Sequence, residues 1–462
     1  MNHADQLPCD LIVRNAAIVS RNGLTTGDVA VRGGRIHEVG TPVGGDALEE
    51  LDATGLHLFP GVIDMHVHFN DPGRTHWEGW ATGSTAAAVG GTTTVAEMPL
   101  NASPPTLDAG AFDAKATAAI GASWVDFALW GGLTPVNLDS MGELARRGVV
   151  GFKAFMCNSG IDDFLAADPT TLREGMLRAA ALGLPVAVHA EDESITDHLT
   201  AIARFSGATS IQAYLDSRPP EAELAAIARA IELADESGCE LYVVHISTSA
   251  GVKLVREAAA RGVNVHAETC PHYLLFSEED LADQGALLKC SPPLRTARER
   301  EALGTMARNG QVDVLASDHS PSPPEMKSHE DFFQIWGGIA GCQSLLSASL
   351  TVVADRPAAS GYSQLANMLA GNPAGILRQT HKGDIRAGMD ADMVLVDLSE
   401  TYTVAGSDLR YRHPVSPYVG FPLRGRPVRT FLRGIAIAQD GNVIGRPQGR
   451  LIMPARASGT RN

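Results

Sequence analysis

From about residue 58 to residue 317, short apolar runs alternate with longer, alanine-rich amphipathic stretches. The short runs have the length of buried strands, and the amphipathic stretches have the length of helices. The runs predicted as strands are Leu58–His66, Thr93–Glu97, Trp124–Trp130, Val149–Phe155, Pro185–His189, Glu240–His245, Asn264–Glu268 and Val312–Ser317. The stretches predicted as helices include Trp80–Val89, Leu138–Arg147, Thr170–Leu182, Pro220–Ser237, Ala250–Arg261 and Ala297–Asn309. Several of these stretches are closed by a glycine, which favours helix termination.

Strands that alternate with helices over about 270 residues predict an α/β fold of the (β/α)8 TIM-barrel type, for which this size is typical. A doubly wound open sheet is the competing interpretation. In that fold the first strand is followed by a glycine-rich sequence that binds phosphate. No such sequence follows Leu58–His66, so the barrel is favoured.

The two ends of the chain follow a different pattern, in which short strand-like runs are separated by turn sequences. The turns are Asn22-Gly23 and Gly33-Gly34 near one end and Asp440-Gly441-Asn442 near the other. The strand-like runs are Asp10–Asn15, Ala17–Ser20, Gly27–Arg32, Arg35–Val39, Ala391–Asp397 and Val428–Ala438. We expect both ends to pair into one small β-sandwich domain made of residues 1–57 and 386–462. Residues 58–385 would form the barrel domain, with a helical region between residues 342 and 371.

Composition and charge narrow the class of partner. The 462 residues are 44% hydrophobic and 19% charged, which is typical of a globular protein. Lys and Arg number 37 against 53 Asp and Glu, so the net charge is −16. This charge repels nucleic acid and anionic membrane surfaces, so we expect neither as a partner and favour a small-molecule substrate.

The cysteines and the N-terminus indicate the compartment. The six cysteines are scattered, without a C-x-x-C pair, as in proteins of a reducing compartment. The segment Met1–Gln6 lacks the basic and apolar regions of a signal peptide, and no apolar run has the length of a membrane span. We therefore expect a cytoplasmic protein.

The predicted strands end in residues that can bind a metal ion. His66 and His68 lie two positions apart, so both side chains project from the same face of the first strand. Such a pair can also be an ordinary surface feature. Lys153, His189 and His245 end the fourth, fifth and sixth predicted strands, and Asp318 follows the eighth, so a barrel would bring these residues to one rim. The six candidate residues are His66, His68, Lys153, His189, His245 and Asp318.

The chemistry of this set favours a metal site over six unrelated residues. Taken singly, His189 or His245 could be a hydrogen-bonded core histidine. Lys153 lies in an apolar run, where an ammonium group is costly unless it is neutralised or paired. Histidine nitrogens together with one carboxylate suit zinc better than magnesium or calcium.

This set resembles the binuclear-metal amidohydrolase superfamily, and specifically its cyclic amidohydrolases, which include dihydroorotases, hydantoinases (dihydropyrimidinases) and allantoinases. The resemblance implies an enzyme with two divalent metal ions per chain, expected to be Zn²⁺. His66, His68 and Asp318 would hold one ion, and His189 and His245 the other. Lys153, carboxylated by carbon dioxide, would bridge them. Asp318 would also be the catalytic base and then acid, with simple metal ligation as its alternative role.

Residues around the candidate ligands separate the branches of this family. Dihydroorotases have an arginine two residues after the second histidine, where this chain has Asn70, and an amide cannot replace that cation. Hydantoinases typically have a tyrosine five residues after the lysine, where this chain has Asn158. Seven segments of this chain resemble the allantoinase group instead: Phe69–Arg74, Glu97–Asn101, Lys153–Phe164, Glu268–Leu274, Lys289–Arg295, Pro323–Lys327 and Trp336–Gly341.

This closer resemblance implies hydrolysis of the hydantoin ring of allantoin to allantoate, and a homotetramer. Asn158 and Ser291 are candidates for hydrogen bonds to the ring, and the backbone of Gly337 and Gly338 for its other edge. Asn158 could instead cap its own turn, and Ser291 could only shape its loop. The main alternative is a hydantoinase or dihydropyrimidinase of broader specificity. A dihydroorotase is disfavoured by Asn70, and a non-catalytic scaffold by the complete ligand set.

Overall fold

A computed structural model describes residues 8–455 as strands and helices arranged in two regions. Residues 1–7 and 456–462 lie outside the described residues, and with them Met1–Gln6, on which the expected location partly depends. The strands are β1 (Cys9–Ser20), β2 (Gly23–Arg32), β3 (Arg35–Gly40), β4 (Ala47–Asp52), β5 (His57–Pro60), β6 (Val62–Val67), β7 (Thr92–Glu97), β8 (Asp126–Leu129), β9 (Gly131–Gly132), β10 (Phe152–Phe155), β11 (Val186–His189), β12 (Leu241–Val243), β13 (Val265–Thr269), β14 (Val314–Leu315), β15 (Met393–Thr403), β16 (Pro422–Leu432), β17 (Ile435–Gln439) and β18 (Asn442–Val443).

The α-helices are α1 (Trp80–Val89), α2 (Ala109–Ala119), α3 (Met141–Arg147), α4 (Pro169–Leu182), α5 (Glu193–Phe205), α6 (Ile211–Asp216), α7 (Pro220–Ser237), α8 (Ser249–Ala260), α9 (Pro271–Leu275), α10 (Leu281–Gln284), α11 (Ala297–Arg308), α12 (Leu345–Val352), α13 (Ala358–Ala366) and α14 (Asn372–Ile376). Local capping explains several of the boundaries. Asp168 and Asp192 accept hydrogen bonds from backbone N–H groups in the first turns of α4 and α5. Gly183 and Gly238 end α4 and α7 in the left-handed conformation.

Parallel strands β6 to β14 form the barrel. β6 pairs with β7 and β7 with β8, while β9 to β14 form a second parallel run. β9 continues the course of β8 beyond Trp130 and pairs with β10, which joins the two runs on one side. On the other side the N–H of His68 donates to the carbonyl of His319 at 2.7 Å, next to β14. The predicted α/β fold with a (β/α)8 barrel is confirmed.

The segment Leu58–His66, predicted as one strand, is two strands in different sheets. β5 pairs with β1 and β15, whereas β6 belongs to the barrel. Gly61 lies between them, and a Cβ at this position would be 2.3 Å from Oγ1 of Thr93. The chain therefore changes sheets where the backbone passes too close to Thr93 for a side chain. A continuous apolar run does not reveal such a break.

The other sheet, called here the terminal sheet, contains strands from both ends of the chain. Nine strands are hydrogen-bonded in the order β18-β17-β16-β15-β5-β1-β2-β3, with β4 also paired to β1. His57 faces Val396, and Pro60 faces Met393, across an antiparallel pair. The strand that leads into the barrel is therefore paired with a strand that follows it in sequence by more than three hundred residues.

The run Val428–Ala438, also predicted as one strand, is a hairpin made by β16 and β17. Arg433 and Gly434 have φ values of 50° and 73°. Two consecutive left-handed residues make the tight turn that antiparallel strands require. Arginine is not a typical residue at such a position, so the sequence carries little signal for this turn.

Among residues 8–455, no helix combines the length and the apolar character that crossing a membrane would require.

Asp28, in β2, connects this strand to β1 and to the loop between β3 and β4. Its carboxylate accepts hydrogen bonds from the N–H of Asn15 at 2.9 Å, from the guanidinium of Arg14 at 3.0 Å and from the N–H of Val43 at 3.2 Å. Burial acts to raise the pKa of Asp28, but these donors outweigh it and lower the pKa below its ordinary value of 3.8. The ionised form is therefore the one that the folded protein stabilises.

Replacing Asp28 by asparagine should lower the free energy of unfolding by about 1–3 kcal/mol at pH 7, because buried donors lose an ionised acceptor. Since the folded-state pKa is depressed, the contribution of Asp28 is complete above its unfolded pKa and is lost as the pH falls through the folded pKa. Urea unfolding of both proteins at pH 7, 4 and 3 measures how the difference in their free energies of unfolding changes with pH. Asp235→Asn, on the exposed side of α7, is the control. An equal loss of stability at all three pH values would contradict the expectation.

Candidate active site

The six candidate ligands lie at the carboxyl ends of the barrel strands and converge there. His66 and Lys153 lie within β6 and β10, and His189 ends β11. His245 and Asp318 lie just beyond β12 and β14, with φ values of 40° and 45°. Residues other than glycine seldom adopt positive φ values. Such conformations persist where the surrounding structure imposes them. The chain thus turns sharply at the two positions where a strand ends and a ligand-type residue begins.

His66, His68 and Asp318 form one group. Nε2 of His66 is 3.2 Å from Oδ1 of Asp318, and Nε2 of His68 is 3.7 Å from the same oxygen. Candidate ligand atoms of all three residues lie within 4.8 Å of one another. Two nitrogens and a carboxylate oxygen at this separation can share one cation.

His189 and His245 form a second group beside the first. Nδ1 of His189 is 3.0 Å from Nε2 of His245. The ring centroids of His245 and His66 are 5.4 Å apart, so the two groups are neighbours. The structure brings together all the histidines that the sequence singles out.

In three of these histidine rings, the nitrogen that points away from the cluster forms a hydrogen bond with an oxygen of the protein. Nδ1 of His66 lies 3.0 Å from Glu268, and Nδ1 of His68 lies 3.2 Å from the carbonyl of Leu100. Nε2 of His189 lies 2.7 Å from Glu191. In each ring the outward nitrogen therefore carries the proton, and the inward nitrogen presents a lone pair.

Burial keeps the rings neutral. It lowers the pKa of His66, His68 and His245 well below the ordinary value of 6.5. Inward lone pairs of neutral rings repel the nearby oxygen of Asp318 and each other. A cation between them removes the repulsion, so the donor set fits a metal ion.

Lys153 is the buried amine of the site. It is 1% exposed, its Nζ has no hydrogen-bond partner among residues 8–455, and it lies 5.0 Å from the centroid of the Phe155 ring. Burial lowers the pKa of Lys153 to about 7, although the charges of Glu268 and Asp318 act in the opposite direction. At neutral pH a large share of this side chain is therefore the free amine, which is the reactive form.

The sequence reasoning missed the carboxylates that surround the ligands. Glu191 follows His189 by two residues, and Glu268 lies in β13, a strand that carries no predicted ligand. Asp64 precedes His66 by two residues and accepts hydrogen bonds from Ser317 at 3.0 and 2.5 Å. The signal was available: each of these acids lies in or directly after an apolar run, where an unpaired charge is costly.

A cavity of about 500 Å³ opens over these groups, and all four predicted substrate-binding residues line it. Asn158 accepts a hydrogen bond from the N–H of Gly160 at 2.8 Å, so it does form the turn considered as its alternative role. Ser291 donates to Glu191 at 2.8 Å. The N–H of Gly338 donates a hydrogen bond to the carbonyl of Lys289, and the carbonyl of Gly338 accepts one from Nζ of Lys327. Gly337 has open space where a side chain would be, with 3.9 Å to the nearest atom.

Three cationic side chains on the cavity wall already have partners. Arg218 binds Glu191 at 2.7 Å, and Arg204 binds Asp331 at 2.8 Å. Lys289 donates to backbone carbonyls. Asn70 is fully buried, donates towards the carbonyl of Pro321 at 3.4 Å and does not line the cavity.

Comparison with known proteins agrees with this geometry. The Amidohydrolase family model matches residues 57–437. An allantoinase of Rubrobacter xylanophilus is 52% identical, covering 98% of this chain and 99% of its own length. An allantoinase of Deinococcus radiodurans is 46% identical, covering 96% of this chain and 99% of its own. Among solved structures, the L-hydantoinase (dihydropyrimidinase) of Arthrobacter aurescens has a TM-score of 0.93 at 34% identity, covering 96% of this chain and 100% of its own. The chain belongs to the amidohydrolase family, as a hydrolase of the cyclic-amide branch that includes these allantoinases and hydantoinases.

Proposed function

We propose that this enzyme hydrolyses the cyclic amide bond of allantoin to give allantoate, using two zinc ions and a carboxylated Lys153. The observation that carries the choice of substrate is the 52% identity, over almost the whole chain, to a protein named allantoinase. The hydantoinase of known structure is 34% identical. The ureido side chain of the substrate would remain intact.

The donor set supports the proposed metal centre. His66, His68 and Asp318 would hold one ion, and His189 and His245 the other, because their inward atoms already converge. The ions, when bound, would lower the pKa of the attacking water and polarise the amide carbonyl.

Lys153 would join the two groups as a carbamate. Its neutral amine would attack carbon dioxide, so that an N–C bond forms, one C=O π bond opens to give a carboxylate, and the proton lost from nitrogen passes to solvent. The side chain that could otherwise be an ammonium group then carries a carboxylate. This change turns a costly buried cation into an anionic oxygen ligand. The lack of a hydrogen-bond partner for Nζ among the described residues and its lowered pKa both favour the reaction.

Asp318 would move the proton. Its carboxylate would accept a proton from the attacking water and deliver it to the leaving ring nitrogen, which must leave as a neutral N–H group. Burial raises the pKa of Asp318 well above its ordinary value of 3.8, and bound cations would act in the opposite direction.

The cavity wall supports a neutral ring as substrate. Asn158, Ser291 and the backbone of Gly337 and Gly338 would bind it, and Gly337 has more open space at its Cβ position than Gly338 has. Arg204 and Arg218 are each occupied by a protein carboxylate, so neither is free to pair with a substrate carboxylate. A dihydroorotase activity is correspondingly disfavoured.

We also propose a homotetramer in solution. Phe205 and Ile202, near the end of α5, are 97% and 53% exposed. Large apolar side chains exposed on one helix favour contact with another subunit.

A hydantoinase of broader specificity is the second candidate, favoured by the TM-score of 0.93 to an L-hydantoinase. An assay of the purified protein on allantoin, hydantoin and dihydrouracil separates the two. We expect kcat/KM for allantoin to exceed the others by about a hundredfold or more, since specificity built on hydrogen bonds can reach such ratios. Preference for hydantoin or dihydrouracil would refute the allantoinase proposal.

Lys153→Ala should lose most of the bound metal and reduce kcat/KM by about a hundredfold or more, because the bridge and its charge are removed. Short carboxylic acids should restore part of both. Metal analysis, and native mass spectrometry for the carbon dioxide adduct, provide the measurements. Lys253→Ala, on the exposed face of α8, is the control. Full metal content in Lys153→Ala would exclude the bridging role.

Glu268→Gln should weaken zinc binding by about 10- to 100-fold, because the proton on Nδ1 of His66 loses its charged acceptor. Competition with a chelator of known affinity measures this directly. Glu223→Gln is a matched control: Glu223 is equally buried but accepts hydrogen bonds from Ser247 and Thr248. Equal weakening in the two variants would mean that Glu268 has no specific effect on the histidine.

A further inference from the structure

One wall of the cavity is an irregular stretch of chain, residues 323–338, called here the wall segment. It contains two short 3-10 turns, Pro324–Lys327 and Phe332–Gln334. Its last residues, from Phe333 to Gly338, line the cavity. Backbone carbonyls outside helices and sheets need other donors, so the shape of the wall segment depends on what binds them.

Lys289 supplies donors to one half of the wall segment. Its Nζ donates to the carbonyls of Phe332 at 2.6 Å, Ile335 at 2.5 Å and Phe333 at 3.3 Å. It also lies 4.5 Å from the centroid of the Tyr214 ring, a favourable position for a cation. One ammonium group thus binds three carbonyls of the same turn.

Lys327 supplies hydrogen-bond donors to the other half of the wall segment. Its Nζ donates to the carbonyls of Gly338 at 2.7 Å, Trp336 at 2.9 Å and Ala286 at 3.1 Å. The N–H of Gly338 in turn donates to the carbonyl of Lys289 at 2.8 Å. Gly337 is therefore held between two residues whose carbonyls both bind Lys327.

The wall segment also passes close to the catalytic end of β14. A Cβ on Gly338 would lie 2.2 Å from the carbonyl oxygen of Ser320, two residues beyond Asp318. The backbone at Gly338 is thus confined between Lys327 on one side and Ser320 on the other. A shift of the segment would move the backbone of Gly337 relative to Asp318.

These lysines are unusual because they are buried without a carboxylate partner. Neither forms a salt bridge within the described part of the chain, residues 8–455, and burial lowers the pKa of each to about 7. An ammonium group in such a place is costly to keep. The two ammonium groups together have six carbonyl acceptors, of which five lie in the wall segment and the sixth is that of Ala286. The buried charges therefore serve mainly to hold the wall segment.

We propose that Lys289 and Lys327 are positioning residues that hold the backbone of Gly337 in place to bind the cyclic amide, and so determine substrate affinity. This inference rests on the proposed function in one respect, that a cyclic amide occupies the cavity. Because the lysines act on the cavity wall and contact no candidate metal ligand, their loss should change binding more than the chemical step.

Lys289→Met and Lys327→Met test this, because methionine keeps the length of the side chain and removes every donor. We expect KM to rise about tenfold or more in each, with kcat changed less than about threefold. Zinc content should stay equal to that of the unsubstituted enzyme. Hydrogen exchange should accelerate at the amides of Trp336 and Gly338, and remain unchanged in β6 and β11.

Lys253→Met, with a side chain that is 72% exposed on α8, is the matched control and should leave both constants unchanged. Lys289→Arg and Lys327→Arg keep the charge and should raise KM less than the methionine variants do. Where a methionine variant does not fold, the glutamine variant, which keeps an uncharged NH2 group but removes the positive charge, gives the same comparison. An unchanged KM, or a fall in kcat at constant KM, would overturn the proposal.

The unsubstituted enzyme is first assayed on allantoin, hydantoin and dihydrouracil. Preference for another ring refutes the proposed substrate, and the lysine variants are then compared on the ring that is turned over. The positioning role is thus judged by KM whichever cyclic amide is preferred.

Discussion

The carboxylate of Glu268 connects the two halves of the histidine cluster. One of its oxygens accepts from Nδ1 of His66 and from the backbone N–H of His245, each at 3.0 Å. The other oxygen accepts from the hydroxyl of Tyr242. With these donors in place, the inward nitrogen of His66 and the turn at His245 face the same point. Burial raises the pKa of Glu268 to about 7, so the hydrogen bonds, and any cation nearby, decide whether it is ionised.

A second buried network connects the barrel to the terminal sheet, at the amino end of β8. Asp126 binds Lys382 at 2.8 Å and Arg433 at 2.6 Å, and Lys382 also binds Asp392 at 2.5 Å. These charges lose much of their hydration, so the network adds little net stability compared with an apolar contact. It does set one relative position of the sheet and the barrel, because any other position would leave a buried charge unpaired.

Outside the candidate metal ligands, several cationic groups of the cavity wall are paired within the protein itself. Arg218 pairs with Glu191, which also holds His189, and the two lysines of the wall bind backbone carbonyls. The cavity therefore presents polar but largely neutralised groups to a ligand. A neutral ring with N–H and C=O groups suits such a surface better than an ion does.

The sequence was sufficient for the order of the barrel strands, for approximate bounds of the six helices that it predicted and for the six metal-ligand candidates, but α2, α5, α6, α9 and α10 were not predicted. Parallel barrel strands are buried on both faces, so they appear as short apolar runs, and a ligand at the end of each run is easily seen. The breaks at Gly61 and at Arg433-Gly434 were not predicted, because a bend caused by a close contact or by a two-residue left-handed turn leaves an apolar run intact.

By itself, therefore, the sequence determined the fold, the family and the residue types at the barrel rim, since these depend on local pattern and spacing. Tertiary structure alone decided which nitrogen of each histidine faces inward, that Asn158 and Ser291 already have protein partners, and that Lys289 and Lys327 bind the cavity wall. The physical reason is that the bonds of Ser291 and Lys289 join segments far apart in the chain, whereas Asn158 and His189 bind residues only two positions away, where the folded turn decides between several possible roles. Glu268 is the clearest case, because it lies 202 residues from the histidine that it orients.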